Sequence, residues 1–111
     1  MDEIIPNLFI AERLVARNLP EDEYQVIFLS QEPLERRHVR VAINDAVSWE
    51  SETILFIVGT ISDWLDKGER VCVACDAGIS RSAGAVAAYL VQKKGMSLED
   101  ALDLVKSKRR I

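Results

Sequence analysis

The chain has 111 residues, 49% hydrophobic and 29% charged. That is enough for one compact domain with one core, and the balance excludes a disordered or collagen-like polymer. A formal net charge of -4 argues against a general polyanion binder, no apolar run reaches the roughly 20 residues of a membrane span, and the acidic opening Met1-Asp2-Glu3 is unlike a signal peptide; neither nucleic acid nor membrane is an expected partner, and the expected compartment is cytoplasmic.

Short β-branched or aromatic runs bounded by polar or turn residues predict strands at Leu8–Ile10, Gln25–Leu29 and Val39–Ile43. Ile54, Leu55, Ile57, Val58, Ile61, Trp64 and Leu65 then recur at helical spacing after a polar start at Ser51-Glu52, with Gly68 placed to end the turn. This is the pattern of an amphipathic crossover helix. A fourth strand follows at Val71–Ala74. From Ser82 to Lys94 the chain is apolar nearly all round, which predicts a central buried helix closed by Gly95. Ser97 caps a last helix, with Asp100 at the capping-box position and Leu98, Ala101, Leu102 and Val105 on its inner face. Strands alternating with helices imply an α/β domain whose central, mostly parallel sheet of about four strands is flanked by helices.

Charge is uneven along the chain: residues 1–35 hold eight acids and two bases, whereas residues 93–111 hold six bases and three acids. The basic end, Lys106-Ser107-Lys108-Arg109-Arg110, reads as a solvated last helical turn whose cations suit the helix dipole, with docking of an acidic partner as the alternative. His38, among Arg36, Arg37 and Arg40, reads as a solvated strand edge, with attraction of an acidic phosphopeptide as the alternative. Trp49 and Trp64 are candidate surface anchors, although Trp64 follows Ile61 at core spacing and reads as packing. Of the two cysteines, Cys72 and Cys75, three residues along one strand would separate their backbones by about 10 Å, beyond disulfide reach. With a single histidine in the chain, a four-ligand zinc site has too few soft ligands, and no metal or other cofactor is expected. Cys72 is expected to be packed core.

In such sheets ligands collect beyond the carboxyl ends of the strands, and the last strand exits into Cys75-Asp76-Ala77-Gly78-Ile79-Ser80-Arg81-Ser82 and the buried helix. A cysteine and an arginine with five residues between them, wrapped between a strand and a helix N-terminus, would aim successive backbone N–H groups and the helix dipole into one anion site. Phosphate fits such a site, with sulfate or vanadate as equivalent ligands. Gly78 supplies backbone freedom, Arg81 a planar fork for two phosphoryl oxygens, and the positive field favours a thiolate at Cys75. The acid at Asp76 would repel anions unless turned to solvent, which is the expected orientation.

Cys75 to Ser82 resembles the signature loop of the cysteine-dependent protein tyrosine phosphatases, in their compact dual-specificity branch. Ile5-Pro6-Asn7-Leu8-Phe9-Ile10 resembles that branch's opening strand, Ala83 to Ile111 its two closing helices, and Asn44-Asp45, thirty residues before the cysteine, its general-acid loop. The resemblance implies one catalytic domain over residues 1–111, acting as a monomer on a phosphorylated protein or peptide. Cys75 would be the nucleophile, Asp45 the general acid and then base, and Ser82 the hydroxyl that stabilises the leaving thiolate. Arg81 and the amides of Asp76, Ala77, Gly78, Ile79, Ser80 and Arg81 would bind phosphate. Asp63 and Asp66 compete with Asp45 but fall on the polar face of the crossover helix. Ala74 stands where the family usually has histidine, so one hydrogen-bonding support of the thiolate is replaced by a methyl group. The leading reading is a tyrosine or dual-specificity protein phosphatase. The alternatives are a phosphatase for a non-protein phosphomonoester (an RNA end, phosphoinositide or phosphosugar) and a phosphate-binding module with little turnover.

Overall fold

The computed structural model describes residues 1–44, 49–77 and 79–110. In chain order the elements are β1 (Asp2–Ile5), β2 (Leu8–Glu12), α1 (Arg13–Arg17), β3 (Tyr24–Leu29), β4 (Val39–Val41), α2 (Ser51–Asp66), β5 (Arg70–Cys75), α3 (Ser80–Lys94) and α4 (Leu98–Lys108). The sheet has five strands in the order β1-β2-β5-β3-β4. β5 lies parallel between β2 and β3, β4 is parallel to β3, and only β1 is antiparallel to its neighbour.

The α/β reading and all four expected strand positions hold, but the strand count rises from four to five. The added strand, β1, is a four-residue segment, Asp-Glu-Ile-Ile, too short and too acidic for an alternating signal. It folds back on β2 through Pro6-Asn7, where Asn7 takes a left-handed conformation at φ 69°, a region that asparagine tolerates better than most residues. The Asn7 N–H donates to Glu3 Oε2 at 2.9 Å. β4 ends at Val41, two residues before the expected Ile43, although Ile43 still reaches the core.

β5 explains the layering. Its alternation sends Val71, Val73 and Cys75 into the larger core under α2, α3 and α4, and Cys72 and Ala74 into a smaller cluster with Ala11, Ala16, Val26, Phe28 and Leu34 beside α1. A strand buried on both faces must be apolar throughout, and only Arg70 at its start is exposed. The two cysteines are free and lie on opposite faces of the sheet.

The crossover helix α2 buries Ile57, Val58 and Ile61 and is followed by Gly68 at φ 77°. α3 buries Ala83, Ala85, Val86, Ala87, Tyr89 and Leu90 and stops at Gly95, at φ 68°, where the Met96 N–H closes on the Leu90 carbonyl. Small residues on α3 let it lie close to both β5 and α2. Ser97 Oγ accepts the Asp100 N–H at 3.1 Å, so the cap of α4 forms as its spacing predicts. Leu98 departs from expectation: it is 60% exposed because it stands at the first helical position, at the loop end of the α3–α4 pair. The basic end also departs from a purely solvated reading. Arg109 is largely buried, with Nη1 2.8 Å from Asp2 Oδ2 and Nη2 3.6 Å from Glu12 Oε1, which ties the end of α4 to the first two strands. Among the described residues, no helix is long and apolar enough to cross a membrane.

Candidate active site

β5 is the middle strand, so its carboxyl end opens at the centre of the sheet's upper edge, where the strand connections diverge. Cys75 is the last residue of β5 and is buried; α3 begins five residues later at Ser80. The intervening loop therefore brings the positive end of a fifteen-residue helix to the thiol. Ala77, Ile79 and Ser80 are exposed on this loop, with Ile79 44% accessible at the N-cap of α3.

The first turn of α3 places both candidate side chains. Ser82 is wholly buried, and its hydroxyl donates to Cys75 Sγ at 2.8 Å. Arg81, whose side chain is 16% exposed, points its guanidinium to the same loop. Its Nη2 lies 3.2 Å from Asp76 Oδ2, while Nε is buried without a hydrogen-bond partner among the described residues. A buried guanidinium N–H needs an acceptor, and a phosphoryl oxygen supplies one.

Asp76 is on the exposed side of the loop, as expected, but its carboxylate is paired rather than free in solvent. Its Oδ1 lies 3.0 Å from Arg13 Nε, and its Oδ2 accepts from Ser30 Oγ at 3.2 Å as well as from Arg81. Burial raises its pKa, but the hydrogen bonds from Arg13, Arg81 and Ser30 outweigh this and leave it lowered. The carboxylate stays ionised because two cations compensate it. Arg13 and Ser30 carried no signal in the sequence as parts of the loop, since they lie 63 and 46 residues from Asp76.

Asp45 and Gly78 lie outside the described residues. Asn44, which precedes Asp45 in sequence, is exposed beyond the end of β4, on the same edge of the sheet as Cys75. Asp63 and Asp66 sit on the exposed face of α2. Trp49 is half-buried, with its ring over Gly84 of α3, one turn beyond Arg81; the sequence pattern did not place it there.

The basic cluster around His38 serves the backbone. His38 Nε2 accepts the Leu34 N–H at 3.2 Å and Nδ1 donates to the Arg36 carbonyl, while Arg36 donates to the carbonyls of Leu19 and Tyr24. Its ring meets Phe28 edge-on at 6.1 Å. These contacts pin the loop before β4, so the histidine is not a solvated edge residue. Cys72 is buried in the smaller cluster, as expected, and burial pushes its thiol up to about 12. Among the described residues, no group of three or more His, Cys, Asp or Glu is placed to hold a metal.

Ala74 is fully buried and faces away from the loop, into the smaller cluster. An imidazole there would overfill a site walled by Phe28, Val26 and Ala16 and would bring polar nitrogens into apolar surroundings. We expect Ala74→His to cost about 2 kcal/mol or more of stability, read as a lower urea midpoint at constant slope. An unchanged midpoint would show that the cluster has room for the ring.

Residues 15–111 match the family model described as "Dual specificity phosphatase, catalytic domain". Human Dual specificity protein phosphatase 2 is 45% identical over 65 residues, covering 58% of this chain and 19% of the relative. The chain spans about half or less of the length of the curated relatives it matches. Among solved structures, human DUSP28 superposes with a TM-score of 0.84 at 24% identity, covering 98% of this chain and 83% of that one. The human tyrosine phosphatase-like serine/threonine/tyrosine-interacting protein gives a TM-score of 0.82 at 27% identity, with the same 98% and 83% coverage.

Proposed function

Because the chain belongs to the dual specificity phosphatase catalytic-domain family, we propose that residues 1–111 form a cysteine-dependent catalytic unit that hydrolyses phosphotyrosine and phosphoserine or phosphothreonine in proteins through a phosphocysteine intermediate. The observation that carries this reading is the buried Ser82 hydroxyl donating to Cys75 Sγ at 2.8 Å. Binding a phosphate does not require a supported thiolate; displacing and being displaced from phosphorus does.

The chemistry runs in two displacements. The Cys75 thiolate attacks phosphorus in line, the S–P bond forms as the P–O bond to the leaving group breaks, and Asp45 gives its proton to the departing oxygen. Arg81 and the loop amides hold the equatorial oxygens, over which charge spreads in the transition state. Water then attacks the phosphocysteine, the Asp45 carboxylate takes its proton, and the S–P bond breaks to release inorganic phosphate. The leaving sulfur carries the electron pair, and the Ser82 O–H stabilises it.

Hydrolysis of p-nitrophenyl phosphate in the presence of a chelator tests the reading. Vanadate-sensitive turnover supports it, whereas phosphate binding with no turnover at any pH would make the chain a binding module instead. Ser82→Ala separates the steps. We expect its first turnover, measured by rapid quench, to stay within about threefold of wild type while steady-state turnover falls about 30-fold, because the lost hydrogen bond acts mainly on thiolate departure. Equal slowing of both phases would remove Ser82 from that role.

A further inference from the structure

The residue after the nucleophile is an acid whose carboxylate remains at the mouth of the loop, 49% exposed. It stands between two guanidiniums, 3.0 Å from Arg13 Nε and 3.2 Å from Arg81 Nη2. Arg13 is held there by further contacts. Its Nη1 donates to the Pro33 carbonyl at 3.3 Å, its guanidinium lies 4.7 Å from the centre of the Phe28 ring, and its backbone N–H donates to the Asp76 carbonyl at 3.3 Å.

The two cations differ in what they have left to offer. Arg81 keeps a buried Nε without a partner among the described residues, so it can take a phosphoryl oxygen while Nη2 stays on Asp76. The charge of Arg13, whose side chain is 30% exposed, is answered among the described residues by the carboxylate of Asp76. A guanidinium is well shaped to hold a phosphate, and here that capacity is already engaged.

We propose that Asp76 selects ligands by charge: paired with Arg13, it masks a second cationic position at the mouth of the loop, so that the site takes an isolated phosphate group and discriminates against ligands in which a second phosphate adjoins the first. This deepens the phosphatase reading and rests on it. A second phosphoryl group on this side meets a fixed carboxylate in a partly desolvated setting, where repulsion is weakly screened, and it can reach Arg13 only by breaking the existing pair. Asparagine at position 76 keeps the shape and one acceptor oxygen but removes the charge, which leaves Arg13 uncompensated.

Calorimetric binding of inorganic phosphate and pyrophosphate at low ionic strength tests this on the Cys75→Ser protein, with and without Asp76→Asn, and with Arg13→Ala added to both substitutions. We expect Asp76→Asn to raise pyrophosphate affinity relative to phosphate about tenfold, and Arg13→Ala to remove most of that gain; Arg13→Gln replaces the alanine variant should that fail to fold. A change shared equally by both anions would reduce Asp76 to a brace for Arg81 and overturn the inference, as would an unchanged ratio or a gain that survives loss of Arg13. If the Cys75→Ser protein binds neither anion, with or without Asp76→Asn, the phosphate-site reading itself falls as well.

Discussion

Cys75→Ser is expected to abolish metal-free hydrolysis of p-nitrophenyl phosphate, by about 10,000-fold or more, while phosphate binding persists. The size of the loss follows from chemistry rather than shape. A serine hydroxyl is not ionised near neutral pH, and among the described residues the hydrogen-bond partner at position 75 is the Ser82 hydroxyl, which donates and so cannot take its proton. The substitution is nearly isosteric in a buried site, so the urea midpoint should move little. Initial rates with a chelator present, alongside calorimetric phosphate binding, give both readings. Residual turnover within 100-fold of wild type would require another nucleophile, and Cys72 is unsuited to be one, being buried on the opposite face of the sheet with its thiol pushed up to about 12.

Arg81→Lys should lower kcat about 1,000-fold with a much smaller change in phosphate affinity. Both side chains carry one positive charge, so long-range attraction of the dianion survives. What lysine lacks is the planar fork. In the resting site Nη2 is engaged by Asp76 at 3.2 Å while Nε is buried without a hydrogen-bond partner among the described residues, so the two nitrogens are already divided between the loop and an incoming oxygen. A single ammonium cannot serve both, and the loss falls on the transition state, where charge moves onto the equatorial oxygens. Comparing kcat and the inhibition constant for phosphate separates the two effects. Activity within tenfold of wild type would mean that charge alone suffices and that the fork has no role.

Much of this protein was legible where neighbours in sequence are neighbours in space. The stretch from Val71 to Lys94 reads as strand, loop and buried helix because its apolar run, its cysteine and arginine with five residues between them, and Gly95 are all local signals. The same holds for α2 with Gly68 and for the Ser97 cap of α4. Even the Ser82–Cys75 contact spans only seven residues, short enough for one tight loop to impose it.

Other features had no local signal. α1 has five residues and a single buried one, Ala16, too few for a periodic pattern, so packing against the sheet rather than propensity accounts for it. β1 is held by pairing with β2 and by Arg109, whose bond to Asp2 spans 107 residues. The pairing of Asp76 had no local signal for the same reason: its carboxylate is exposed as expected, but Arg13 and Ser30 arrive from β2–α1 and from the end of β3 to compensate it. Hydrophobic period and turn chemistry are properties of a short window of chain, and through them the sequence alone determined the α/β class, the strand-loop-helix unit and the address of the proposed nucleophile. Which charges meet at the mouth of the loop depends on strand order, which sets β5 between β2 and β3, and only the tertiary structure decided that.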